Sequence, residues 1–233
     1  MKSYLLAVSL AVTIFSGGVA SAQSVPPNLS NLMPQYGGVK KTAQLLFYDQ
    51  QFLTDCDSKF PNRKEAAAYF QAKGWQFLQS GDPNTAMKRF NQAWLLDSTN
   101  AGAYWGFGAV TGQRQHHEES LKYLLLSQRY DSTDKRLLVD IALSRLNRYS
   151  GNKQVTEVDQ AIKELHLFLA DSMNTKLHIS AYANTYSHLA SAYTIKQDYA
   201  MAWKYVDLAN QSVPRTVRDE LWYKQLKRQS PRK

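Results

Sequence analysis

The side chains able to do chemistry are few and dispersed. His116-His117-Glu118-Glu119 is the densest group of metal-ligating and proton-transferring types. Successive residues on a helix point about 100° apart, so two adjacent imidazoles do not converge on one ion. Ser120 and Leu121, three and four residues beyond His117, add no ligand on its face. His166, His178 and His188 are scattered along the chain. Asp55 with Asp57, and Glu118 with Glu119, are paired carboxylates without a neighbour to drive their pKa values apart, which acid–base catalysis requires. No G-x-S-x-G turn, phosphate-cradling glycine loop or H-E-x-x-H helix occurs, and Gly106-Phe107-Gly108 is too short for a nucleotide fingerprint. The expectation is a protein that is not an enzyme and has no catalytic residue, metal site or cofactor. Cys56 is the single cysteine, so no internal disulfide framework is available. It shares a helical stripe with Leu45, Tyr48 and Phe52. That placement favours a buried structural thiol over a reactive or intermolecular one.

The elements that would position any site repeat along the chain. Phe70–Asn100 aligns with Tyr104–Asp134 at an offset of 34 residues. Gly74 falls on Gly108, Ala86 on Ser120, Phe90 on Leu124 and Ala93 on Ser127. Asp97-Ser98-Thr99-Asn100 falls on Asp131-Ser132-Thr133-Asp134. A further copy runs through Tyr186, Leu189, Ala190, Tyr193, Asp198, Ala202, Val206, Ala209 and Pro214. Scarce Gly and Pro and no sustained period-2 alternation argue against an all-β fold. Gly81 is placed to end a helix, Asp82 to cap the next, and Pro83 to occupy its first turn, where no backbone donor is lost. Gly74, Ala86 and Ala93 let paired helices approach closely, while Phe70, Phe77 and Phe90 fill the space between pairs. One such pair cannot bury its apolar face alone, so pairs must stack.

These positions resemble the tetratricopeptide repeat family, over roughly residues 67 to 216. The first copy supplies Phe70, Gly74, Phe77, Gly81-Asp82, Ala86, Phe90 and Ala93. It departs from the family pattern at Lys73, usually Leu, and at Ser98, usually Pro. The stretch Ala86–Leu96 followed by Tyr104-Trp105-Gly106-Phe107-Gly108 is also similar to a group of bacterial secreted repeat proteins without an assigned activity. The resemblance implies an all-α, tetratricopeptide-repeat-like α-solenoid of about four antiparallel helix pairs, with capping helices at both ends. The repeats are 67–100, 101–134, an irregular 135–182, and 183–216. In the third, roughly seven extra residues are expected in a turn around Tyr149–Gln154, and roughly seven more between Asp171 and Tyr182.

The ends have their own composition. Lys2, an apolar run from Tyr4 to Phe15, and Ala20-Ser21-Ala22 read as a signal peptide over residues 1–22, cleaved near Ala22 or Gln23. The run is shorter than the roughly 20 residues that span a bilayer, and no later segment reads as a transmembrane helix. No Cys follows it, so a lipid-modified N-terminus is not expected. An exported protein, periplasmic or secreted, is the expectation. Residues 23–40, with Pro26, Pro27, Pro34 and Gly37-Gly38, read as an extended or disordered lead. An amphipathic capping helix over about 41–57, within a segment reaching 66, is expected to cover the first repeat. Residues 217–233 are expected to form a capping helix with Leu221, Trp222 and Leu226 facing inward, followed by a basic tail.

The formal charge is +9, much of it near the C-terminus in Arg215, Arg218, Lys224, Lys227, Arg228, Arg232 and Lys233. This excess suits weak contact with an anionic lipid or polymer, or is simply a solvated face. No nucleic-acid motif accompanies it. In the resembled family the first helix of each repeat lines a concave groove. Counting by repeat position then puts Gln71, Trp75 and Gln79 in the groove, with Trp105, Ala109 and Gln113 from the second repeat and Asn184, Ser187, Ser191 and Thr194 from the fourth. Aromatic area flanked by amides and hydroxyls suits an extended peptide or protein partner. Packing between repeats would equally employ Trp75 and Trp105.

Overall fold

The computed structural model describes residues 30–172, 179–217 and 221–232. The signal segment, His178, Arg218 and Lys233 lie outside them. Among the described residues, ten α-helices follow a short 3-10 turn at Pro34–Gly38: α1 Ala43–Lys59, α2 Arg63–Gln79, α3 Pro83–Leu96, α4 Ala101–Gln113, α5 His117–Tyr130, α6 Leu137–Asn152, α7 Val155–Ser172, α8 Ile179–Ile195, α9 Tyr199–Ser212 and α10 Leu221–Gln229. No strand occurs among the described residues. Helices α2/α3, α4/α5, α6/α7 and α8/α9 pair in sequence, as expected of a solenoid. No described helix is long and apolar enough to cross a membrane.

Two kinds of turn alternate. Within a pair, one residue adopts a left-handed conformation: Gly81 (φ +82°), Gln115 (+64°), Lys153 (+57°) and Gln197 (+61°). Asp82 then caps α3 by accepting from Thr85 N at 2.9 Å, with Pro83 in the first turn, and Asp198 caps α9 by accepting from Met201 N at 3.1 Å. Between pairs the chain runs extended. Asp97 accepts from Thr99 N at 2.9 Å and Asp131 accepts from Thr133 N at 2.8 Å, so the repeated Asp-Ser-Thr motif is one turn built twice. Close approach is fixed by Phe90, which is fully buried. A Cβ on Gly74 or on Gly106 would lie 2.4 Å from its ring, so only glycine fits on either side.

The third repeat corrects the expected insertion. Tyr149–Asn152 belong to α6, and Lys153-Gln154 are the whole connection. The extra length goes into helix: α6 and α7 have 16 and 18 residues against 13 and 14 in α4 and α5. An ion network lies along this lengthened pair. Arg145 reaches Glu157 at 3.1 Å and Glu164 at 3.0 Å, while Arg148 reaches Glu157 at 2.8 Å and Glu118 of α5 at 2.9 Å.

Residues 30–38 of the lead are folded rather than extended or disordered. Asn91 of α3 is fully buried, and its amide donates to the carbonyls of Asn31 (3.1 Å) and Met33 (2.9 Å). Arg114 donates to Leu32 O at 2.6 Å. Tyr36 lies 6.4 Å from Trp94, and Lys41 sits 3.4 Å over the Tyr36 ring. Burial, with the Asp49 charge adding, holds the Tyr36 phenol well above its ordinary range. Residues 30–38 therefore pack against α3 and the α4–α5 corner.

Both caps differ from expectation in detail. In α1 only the second half packs, with Cys56, Phe52 and Leu53 against Ala66, Ala67 and Phe70. Leu46, Phe47 and Tyr48 are 55%, 59% and 53% exposed, so the helix covers the first repeat only in part. Cys56 is buried as expected, and burial followed by Asp57 and Asp55 pushes its thiol up. In α10, Leu226 is fully buried and Trp222 half-buried, but Leu221, the first residue of the helix, is 82% exposed. Arg232 is folded back rather than trailing: it bonds Asp207 at 2.8 Å and lies 4.5 Å over Trp203.

Candidate partner-binding groove

The first helices α2, α4 and α6 lie side by side and enclose a hollow of about 420 Å³. Trp75 and Leu78 come from α2. Gly108, Ala109, Gly112 and Gln113 come from α4, and Asp140, Leu143, Ser144 and Asn147 from α6. The small residues of α4 form the bottom because α4 must approach α5: Cβ atoms at Gly108 and Gly112 would meet Leu124 at 2.6 Å and Ser120 at 3.1 Å. Trp75 stands edge-on to Phe90 at 5.4 Å and to Trp105 at 5.7 Å. The two tryptophans thus both pack the repeats and border the groove.

Trp105 Nε1 donates to Asp140 Oδ2 at 2.6 Å, tying α4 to α6. Burial raises the Asp140 pKa, the Trp105 hydrogen bond opposes this, and the Asp134 charge adds to the rise. A second hollow of about 360 Å³ lies along Trp105 and Gln71 and is lined by Asp97, Asp131 and Asp134.

The residues expected in the groove divide. Trp75, Ala109 and Gln113 line the main hollow together, and Gln71 with Trp105 lines the second. Gln79 is exposed and lines neither. Asn184 is exposed and Ser191 half-buried on α8, away from both hollows. Ser187 and Thr194 are buried, which removes them from an open surface. The Thr194 hydroxyl donates to Ala190 O at 2.8 Å within its own helix, because it turns toward the packed side.

Asp140, Leu143 and Asn147 were not anticipated. Counting 34 from Ala109 and from Gln113 gives Leu143 and Asn147, so the first helix of the third repeat keeps the register of the first two. The irregularity begins only later in that repeat. Asp140 lay off this count and emerges from its bond to Trp105. His116 caps α5 and lies 3.8 Å from Glu119, whereas His117 is the first residue of that helix and lines the main hollow. Among the described residues, no group of three or more His, Cys, Asp or Glu is arranged to hold a metal ion.

No protein-family model and no curated protein matches the sequence. Solved structures do match. A crystal structure of MamA is 17% identical, with 73% of this chain and 89% of that chain aligned at a TM-score of 0.51. A crystal structure of the MamA protein is 19% identical over 66% and 77% of the two chains, at a TM-score of 0.49. The Pseudomonas aeruginosa PilF structure is 16% identical over 73% and 95%, at 0.36. At 17% identity the first of these speaks to fold alone, that of the stacked helix pairs described above.

Proposed function

We propose that this tetratricopeptide-repeat solenoid is an exported, non-enzymatic scaffold that holds an extended segment of a protein partner on its concave face. The observation that carries the reading is the hollow between α2, α4 and α6. It is large enough for a side chain or two, floored by Gly108 and Ala109, walled by Trp75 and Leu143, and edged by the amides of Gln113 and Asn147. Apolar walls with a few amides suit a peptide, whose side chains enter pockets while its backbone takes the polar edge. Export rests on the N-terminal sequence pattern alone.

Ala109→Trp fills the hollow from an already half-buried position and leaves the α4–α5 contact alone. Pull-down from the native host, followed by mass spectrometry, should lose its specific partner with this variant and with Trp75→Ala while circular dichroism stays unchanged. An identical set of captured proteins would overturn the groove assignment.

A second reading rests on α10. Lys224 and Arg228 share its outer face with Leu221, and all three are exposed. Cations around an exposed apolar side chain suit an anionic envelope surface. Sedimentation with anionic vesicles should fall in Lys224→Glu/Arg228→Glu and with added salt. Unchanged sedimentation would remove this reading.

A further inference from the structure

We infer that the concave hollow selects a segment carrying a lysine or arginine beside a bulky apolar residue, and that Asp140 receives the cation. The inference rests on the groove reading above and specifies its ligand.

The first ground is the distribution of charge. The chain carries a formal charge of +9, yet no lysine or arginine lines the main hollow; its ionisable groups are Asp140, the single carboxylate, and the His117 imidazole from α5. The adjoining hollow along Trp105 is lined by Asp97, Asp131 and Asp134 and likewise by no lysine or arginine. Asp134 is paired with Arg136 from outside that lining, at 2.9 Å, while Asp97 and Asp131 are engaged by uncharged Thr99 and Thr133. Both hollows thus carry carboxylates and no lysine or arginine in their linings, although Lys135 and Arg136 act on Asp131 and Asp134 from outside the second. Field lines concentrate in such a cleft, so it attracts cationic segments and repels acidic ones.

The second ground is the setting of Asp140. Its carboxylate is drawn out of water between α4 and α6 and held in place by the indole N–H of Trp105. A fixed acceptor in a site of low polarity gains more from a charged donor than an exposed, mobile one does. Bulk is also accommodated: Gly108, Ala109 and Gly112 leave the floor open, and Trp75 and Leu143 supply apolar walls on either side. An apolar side chain seated there brings its neighbour in the peptide within reach of Asp140.

The test is selection of a displayed random peptide library on the full-length protein. The recovered pool should be enriched in Lys or Arg next to Leu, Phe, Tyr or Trp, and its binding should weaken with salt. Asp140→Asn should weaken a selected basic peptide by roughly tenfold or more, the size of a lost charge-assisted hydrogen bond. Asp140→Glu, which retains the charge, should keep the basic preference and controls for folding. A pool that is blocked by Ala109→Trp but shows no basic enrichment overturns the charge assignment while the groove reading stands. A pool indifferent to Ala109→Trp overturns both.

Discussion

The indole nitrogen of Trp105 lies 2.6 Å from a carboxylate oxygen of Asp140, and this bond joins the first helices of the second and third repeats. Trp105→Phe keeps most of the ring but deletes the donor, leaving a desolvated acceptor unmet. Urea unfolding at pH 7 should show a loss of about 1–3 kcal/mol. The pH dependence follows from the direction of the Asp140 shift. Its folded pKa is raised, so between the unfolded value near 3.9 and the folded one the native state holds the extra proton. Stability contributed by this group therefore falls as pH rises through that window. Asp140→Asn should gain stability relative to wild type as pH rises above about 4, and a difference that is flat with pH would contradict the shift.

Asn91 anchors the N-terminal lead. Asn91→Ala removes both donors that hold the Asn31 and Met33 carbonyls. The expected cost is about 2–3 kcal/mol in chemical denaturation. Limited proteolysis should then cut within residues 30–41 while the repeats stay intact. Continued protection of that segment would mean that Arg114 and Tyr36 suffice to hold it.

Burial pushes the His188 imidazole down to about 4. The folded value lies below the unfolded one, so the unfolded chain takes up the proton first as pH falls. The stabilisation is complete above about 6.5 and is lost between there and about 4, amounting to roughly 3 kcal/mol. His188→Phe should flatten this part of the stability profile measured by thermal melts. A profile unchanged between pH 6.5 and 4 would show that His188 is not the titrating group.

Gln115 and Gln197 occupy the left-handed position that Gly81 fills in the first repeat. A side chain there strains the backbone, while glycine does not. Gln115→Gly and Gln197→Gly should each gain up to about 1 kcal/mol, less whatever the added freedom of the unfolded chain removes. Destabilisation by either would show that the glutamine side chain makes an offsetting contact.

Much of the groove was legible from register. Trp75, Ala109 and Gln113 fall at repeat positions, and the same count carried one period further, into the repeat that starts at 135, reaches Leu143 and Asn147. The fourth repeat was harder to read. Ser187 and Thr194 are small and polar, and a hydroxyl in a helix can satisfy itself on a carbonyl one turn back, so polarity did not signal exposure. Leu221 misled in the opposite sense, since an apolar residue at a helix start need not reach the core.

The sequence by itself determined the helical repeat, because small and large residues recurring every 34 positions permit one kind of close pairing, and Gly81-Asp82-Pro83 can only end one helix and begin another. Tertiary structure alone decided what the repeats enclose. Asp140 meets Trp105 from 35 residues away, and Asn91 meets Asn31 from 60, through hydrogen bonds that no local pattern encodes. Such pairs are specified by where stacked helices bring their faces, a property of the whole array rather than of any one segment. The same geometry turned a concave surface that read as aromatics, amides and hydroxyls into one that also holds a carboxylate, bonded to Trp105.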